Sequence, residues 1–302
     1  MLPINWTNVV AVNVNGYRNQ NEDVYGVMTT KSSEFEKTNV VLDDSLRLKL
    51  AQHRPKTVVD IKSKDCTRLA TSDQHLFHCK LDEIYAFEIN SMERRHIPWD
   101  KDDWIIDICY STLLELFFIW SNSGFYTFDS STMEKRQTIE NIRDTGTGWY
   151  RCTCFDKFLF LSYDYNIEQR KIEIEENEYE LINEWKLAVE NDNELIRCMK
   201  VNELRIVLGI GEYHRTDRFE LHDYNMNILH TLNFNILDIA LLPHAKWLIV
   251  VKSSNKLTIV NNDGEVEETT YYNCKDNVLN SITFGSNMLV IETCNQLYFH
   301  DI

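Results

Sequence analysis

The residues best equipped for chemistry in this 302-residue chain are few, and their spacing tells against most reactions. Cys152-Thr153-Cys154 is its closest cysteine pair, and two thiolates are half of a tetrahedral zinc shell. No Cys-x-x-Cys or His-x-x-x-His set accompanies it to finish that shell. His75 and His78 stand three apart, a spacing that puts them on opposite faces of a strand, where they cannot share one metal ion. His214 lies in the polar stretch Glu212–Asp217, with no neighbour of known geometry. Gly209-Ile210-Gly211 could begin a phosphate-cradling loop, but the later Gly and Lys are missing and no helix follows. There is no Gly-x-Ser-x-Gly elbow, and the many Asp and Glu residues offer carboxylate pairs without a motif that selects one. Asp107 and Asp238 are the best placed of them and are expected to bond backbone N–H groups or water. The chemistry on offer is therefore recognition, with no catalytic residue, metal or cofactor expected.

The elements that position these residues repeat. An apolar pair closes an extended segment at Phe87, Phe128, Ile174, Leu221, Ile259 and Phe299, at separations of 41, 46, 47, 38 and 40 residues. That period is one four-stranded propeller blade. The clearest unit has an alternating Trp104–Ile108, a continuous apolar Leu116–Trp120, then Phe125–Phe128 after a Ser-Asn-Ser-Gly turn, and a polar Lys135–Ile139. A strand apolar on both sides is what burial between neighbouring sheets requires, and a polar one belongs at the rim. Three more units follow: 148–154, 157–163, 171–175 and 179–189; 194–200, 204–210, 218–223 and 227–232; 236–241, 246–252, 256–260 and 266–271. Asn262-Asp263-Gly264 supplies the last turn of the third of these. An earlier unit occupies 67–71, 75–80, 83–88 and 94–99. The last has only 278–284, 288–293 and 296–301, and its open edge needs a partner, for which Thr57–Lys62 is the candidate.

The fold expected is all-β: a six-bladed β-propeller of four-stranded antiparallel blades over 57–302, closed by an N-terminal strand, after an extension at 1–56. Three strands in that extension would make seven blades. Registering the innermost strands puts Cys152 and Cys198 where other blades carry Ile108 and Ile239, which makes them small core side chains. In period, strand order and the polar residue ending the third strand, the chain resembles the WD40-like β-propeller superfamily. Phe128-Asp129, His222-Asp223 and His300-Asp301 stand where that family often has Trp-Asp, and its Gly-His start is absent. The resemblance implies a non-catalytic scaffold that binds proteins or peptides on its loop-rich faces. A propeller hydrolase acting on a sugar or ester in the channel is the alternative.

A formal charge of −16 and a pI near 5.0 oppose phosphate backbones and anionic lipid, so neither nucleic acid nor membrane is an expected partner. The first residues lack a basic start and apolar core, and eight scattered Cys fit reduced thiols, so a cytoplasmic monomer is expected. The acidic run Glu173–Glu184 reads as a solvated outer strand pair, with Ile172 and Ile174 turned inward. The segments entering the innermost strands include Trp99–Trp104, Arg143–Trp149 and Glu190–Asn193, and they converge on one mouth. Trp99, Trp104 and Trp149 are each expected to wedge between blades. The expected partner-binding rim joins Asp102, Arg143 and Asp144 to the loop residues Tyr165, Tyr213 and Arg215. Charge reversal at Arg143 and Arg215 should abolish binding without unfolding.

Overall fold

The computed structural model describes residues 54–61, 67–139, 150–163, 165–173, 178–187, 194–212, 215–252, 254–284 and 287–302, all within the unit Leu46–Ile302. Of the extension at 1–56, residues 1–53, with their bearing on further strands, lie outside them, as do Arg143, Asp144, Trp149, Tyr213 and His214.

The described residues form six four-stranded antiparallel sheets. Blade I is β2 (Arg68–Thr71), β3 (His75–Cys79), β4 (Ile84–Glu88) and β5 (Arg94–Ile97). Blade II is β6 (Ile105–Ser111), β7 (Leu116–Ser121), β8 (Phe125–Asp129) and β9 (Lys135–Ile139). Blade III is β10 (Tyr150–Phe155), β11 (Phe158–Tyr163), β12 (Asn166–Glu173) and β13 (Glu178–Lys186). Blade IV is β14 (Leu195–Val201), β15 (Ile206–Glu212), β16 (Arg215–His222) and β17 (Ile228–Leu232). Blade V is β18 (Ile236–Leu242), β19 (Lys246–Val251), β20 (Lys256–Val260) and β21 (Val266–Tyr271). Blade VI takes β22 (Val278–Phe284), β23 (Met288–Thr293) and β24 (Gln296–Asp301) from the end of the chain and β1 (Thr57–Asp60) from its beginning. The pairing Thr57↔Phe299 through Asp60↔Gln296 removes the open edge that β24 would otherwise present.

The cores lie between blades. Every residue of β7 and of β23 is buried, because each second strand has a neighbouring sheet on both faces. Between blades I and II, Phe77 and Phe117 stack with centroids 3.9 Å apart. Such a contact adds about 1 kcal/mol to the burial of the two rings. At the closing junction Ile61, Leu76 and Phe87 meet Phe284, Val290 and Phe299.

Two third strands begin earlier than their polarity predicts: β12 at Asn166 instead of 171, and β16 at Arg215 instead of 218. In β12 the inward polar residues are buried and bonded within the blade: Tyr163 of β11 donates to Glu168, Arg170 Nε lies 2.7 Å from Glu168 Oε2, and Asn183 of β13 donates to Gln169 at 2.8 Å, while Gln169 Nε2 has no partner among the described residues. In β16, Arg218 is held between Glu194 and Glu220, and Glu220 in turn meets His222 at 2.8 Å. Hydrophobic patterning cannot register strands whose inward side chains are ionic.

The polar residue that ends third strands has a local task. Asp129 Oδ1 accepts from the N–H groups of Ser131 and Thr132 at 2.8 and 3.0 Å, Asp223 Oδ1 does so from Asn225 and Asn227 at 2.9 Å each, and Asn261 from Asp263 and Glu265 at 3.0 and 2.9 Å. Each closes the turn to the outermost strand. In blade V that turn ends on Gly264 at φ 87°, a left-handed position suited to glycine.

Candidate functional site

Antiparallel order sorts the loops by end. Connections into an innermost strand, and those between second and third strands, lie at one end of the ring, here called the entry end. The remaining hairpins lie at the other.

At the entry end of blades I and II, two loops clamp the segment Asp100–Trp104. Leu81 O accepts from Ile105 N at 2.7 Å, Asn122 N donates to Trp104 O at 2.9 Å, Trp104 N donates to Asn122 Oδ1, and buried Asp103 accepts from Ser123 N at 3.0 Å. Trp99 turns inward, stacks near Tyr126 and Phe128, and donates its indole N–H to Asp103 O at 2.5 Å, as a wedge should. Trp104 does not. Its backbone is fixed on both sides, yet the residue is 59% exposed, as is Leu81 at 37%, whose carbonyl takes the N–H of the residue after Trp104. The expectation of a wedge fails here because Ile105, the next residue, takes the inward position. Asp82, next to Leu81 in its loop, and Asp100 and Asp102, in the segment that leads to Trp104, are all exposed.

Of the predicted rim, Asp102 belongs to this patch. Tyr165 is at the same end on blade III but is half-buried, packed on the blade III–IV core, with Lys186 Nζ 4.9 Å above its ring. Arg215 starts β16 rather than sitting in a loop. The structure thus brings Asp102 together with Trp104 and Leu81, a grouping that linear spacing did not reveal because Leu81 comes from another blade.

The axis holds a second feature. At one register level the six innermost strands carry Arg68, Asp107, Arg151, Arg197, Asp238 and Asn280, all lining a channel cavity of about 50 Å³ that opens to solvent. Most of these side chains reach forward to the backbone of the next blade. Arg68 Nε donates to Ile106 O at 3.0 Å; Asp107 Oδ2 accepts from Cys152 N at 2.9 Å; Arg151 Nε donates to Arg197 O. Asp238 Oδ2 accepts from Ser281 N at 3.0 Å, and Asn280 Nδ2 donates to Thr67 O at 3.2 Å. The expected backbone partners of Asp107 and Asp238 are therefore present. Burial, with Arg68 beside it, pulls the Arg151 guanidinium down to about 10, and burial pushes the Asp238 carboxyl above its ordinary range.

Behind Asn280, Glu292 accepts from its Nδ2 at 2.6 Å and lies 2.9 Å from His78 Nε2, fully buried across the junction that closes the ring. His75 is not part of this contact, in keeping with its placement on the other face of β3. Cys109 and Cys154 sulfurs approach to 3.1 Å, but burial raises both thiols, as it does Cys152. Neutral thiols are poor metal ligands, and among the described residues no three His, Cys, Asp or Glu side chains gather as a metal site. No helix among them is long and apolar enough to cross a membrane.

No protein-family model and no curated protein matches this chain. Solved structures do. A chain of a mitotic checkpoint complex superposes with a TM-score of 0.59 at 12% identity, over 82% of this chain and 92% of that one. A streptogramin B lyase does so with a TM-score of 0.59 at 9% identity, over 82% and 98%. At such identities the likeness speaks for the fold, which a chain of a checkpoint complex and a lyase share. By its closed ring of four-stranded blades and its structural neighbours, the chain has the fold of a six-bladed β-propeller.

Proposed function

We propose that this propeller is a non-catalytic recognition module that binds a protein or peptide at its entry end, with Trp104 as the anchor. The observation that carries this reading is the 59% exposed tryptophan on a backbone locked by hydrogen bonds from two blades. A large aromatic held in place loses little freedom on binding, which is why such residues dominate interface energies. Asp82, Asp100 and Asp102 in the same loops, on a chain of charge −16, favour a basic segment that offers an apolar side chain to Trp104 and Leu81. A structural neighbour from a multiprotein complex agrees with a protein partner.

A channel hydrolase finds less support. Its best acids, Asp107 and Asp238, stand on blades II and V, across the ring from one another, and each is engaged by a backbone N–H of the next blade. The test compares proteins captured from soluble extract by the parent chain and by Trp104→Ser. Loss of an anchor of this kind costs about 2–4 kcal/mol, or roughly 30- to 900-fold in Kd, and should remove the captured partner while leaving the melting temperature unchanged. A partner retained at full strength by the folded variant would refute the assignment.

A further inference from the structure

We propose that the notch between Trp99 and Tyr126 takes an arginine side chain of the partner, and that Lys135 fills it in the free protein as an internal stand-in. This rests on the reading of the entry end as a protein-binding face and adds the chemistry of one contact. The two rings stand 5.4 Å apart at an interplanar angle of 89°, so they form the two walls of a corner. Lys135 Nζ sits in that corner, 3.5 Å from the centre of the Tyr126 ring and 4.6 Å from that of Trp99. Ring quadrupoles attract a cation held over their faces. The corner thus has the size and the field for an organic cation.

Its walls are tied to the segment that bears Trp104. Trp99 donates its indole N–H to Asp103 O at 2.5 Å, the Tyr126 hydroxyl lies 2.7 Å from Ser123 Oγ, and Ser123 N donates to Asp103 Oδ1 at 3.0 Å. Both rings are half-buried and fixed before any partner arrives. The occupant is held less firmly. Lys135 is exposed, and among the described residues no carboxylate pairs with it, so the ring faces are what retain it. A lysine ammonium is strongly hydrated, and water competes with the rings for it. A guanidinium is more weakly hydrated and stacks flat on an aromatic face, which makes it the better occupant. Blade I shows this preference within the same chain. Arg94 pairs with Phe87 as Lys135 pairs with Phe128, and its guanidinium carbon lies 3.6 Å from the centre of the Tyr85 ring. Tyr85 and Tyr126 are each second in their third strands. Blade II therefore repeats a tyrosine that takes a guanidinium, adds Trp99 as a second wall, and yet carries a lysine. Asp100 and Asp102, exposed between Trp99 and Trp104, draw a further cation towards the same segment.

The experiment follows the Trp99 indole N–H resonance of the intact chain, with isotope-labelled tryptophan, during titration with N-acetyl-arginine amide at fixed ionic strength. Trp99→Phe identifies the resonance. A single side chain binds with a Kd on the order of 1–10 mM. Lys135→Gln vacates the notch and should tighten that Kd about two- to fivefold, the factor that corresponds to one exposed cation–π contact. Lys135→Arg fills it with the better occupant and should weaken binding below that of the parent, whereas a lysine with a merely structural role would tolerate arginine without effect. Tyr126→Leu should abolish the shift, and Tyr126→Phe, which keeps the ring, should restore it. No saturable shift in Lys135→Gln at about 100 mM probe, some ten times the expected Kd, would overturn the proposal. Equal binding by the Lys135→Gln and Lys135→Arg proteins would do the same, and N-acetyl-lysine amide binding as tightly as the arginine probe would refute the assignment to arginine. The readout does not involve the Trp104 side chain, so its failure leaves capture through Trp104 standing, and failure of the Trp104 assignment leaves the notch measurable.

Discussion

Gly209→Ala provides a sharp test of the packing between blades IV and V. Gly209 lies in the second strand of blade IV, opposite Cys198. A Cβ added there would stand 2.3 Å from Cys198 Sγ, with Ile236 methyl carbons at 3.6 and 3.7 Å. Ordinary contact needs about 3.5–4 Å, so the sulfur would have to retreat by more than about 1 Å into a close-packed core. Elsewhere in a strand, alanine in place of glycine stabilises by about 0.5–1 kcal/mol through the unfolded chain. Overpacking costs about 1–3 kcal/mol or more and should win. The expected net loss is about 2 kcal/mol, or a melting temperature lower by about 4–8 °C in a domain of this size. Cys198→Ala deletes the clashing sulfur, so the double variant should be more stable than the sum of the single changes by at least about 1 kcal/mol. Urea unfolding of all four proteins measures this coupling. Stabilisation by Gly209→Ala, or strict additivity with Cys198→Ala, would refute the packing argument.

Other variants probe other junctions. Glu292→Ala leaves His78 and Asn280 buried without their shared acceptor where the ring closes, and should cost about 3 kcal/mol in urea unfolding. A loss under about 0.5 kcal/mol would mean the pair is not formed. The His300 imidazole, 3% exposed and bonded to Tyr272 at 2.7 Å, is pulled down to about 4 by burial. Because the unfolded chain then binds the proton more readily, this group lowers stability as pH falls from about 6.5 towards 4, by up to about 3 kcal/mol. His300→Phe should flatten that part of the profile relative to the parent, and parallel profiles would contradict the assignment. Glu220, held below the ordinary carboxylate range by His222 and Arg218 despite its burial, loses its contribution in a lower window, below about 4.5. Glu220→Gln should therefore change the acid limb only there.

Much of this architecture can be read from side-chain order. The continuous apolar Leu116–Trp120, the blade period and the incomplete last unit lead to six blades and to closure by Thr57–Asp60. Asp107 and Asp238 are legible because both precede an isoleucine in innermost strands. The early starts of β12 and β16 are not, because Glu168, Arg170 and Arg218 face inward as ionic networks that look like loop residues in a hydropathy pattern. Gly209-Ile210-Gly211 shows a related limit: its first glycine answers to the sulfur of Cys198 on the neighbouring strand. The site is harder still. Trp99 and Trp104 look alike in sequence, and only the position of Ile105 decides which one turns outward. The charged and polar residues of the channel level are single positions about 40 residues apart until the ring brings them together, although aligning the innermost strands already places Arg151 and Arg197 beside the two aspartates.

The central claim, recognition through the entry end, is tested most directly by site-specific photocrosslinking. A photoreactive residue is placed in turn at Trp104, at Leu81 and, as controls, at Leu113 on the opposite end and Val266 on an outer strand, all exposed positions. The account predicts that Trp104 and Leu81 crosslink to one and the same protein in extract and that the two controls do not. Crosslinking of that partner from Leu113 or Val266, with none from Trp104, would contradict it.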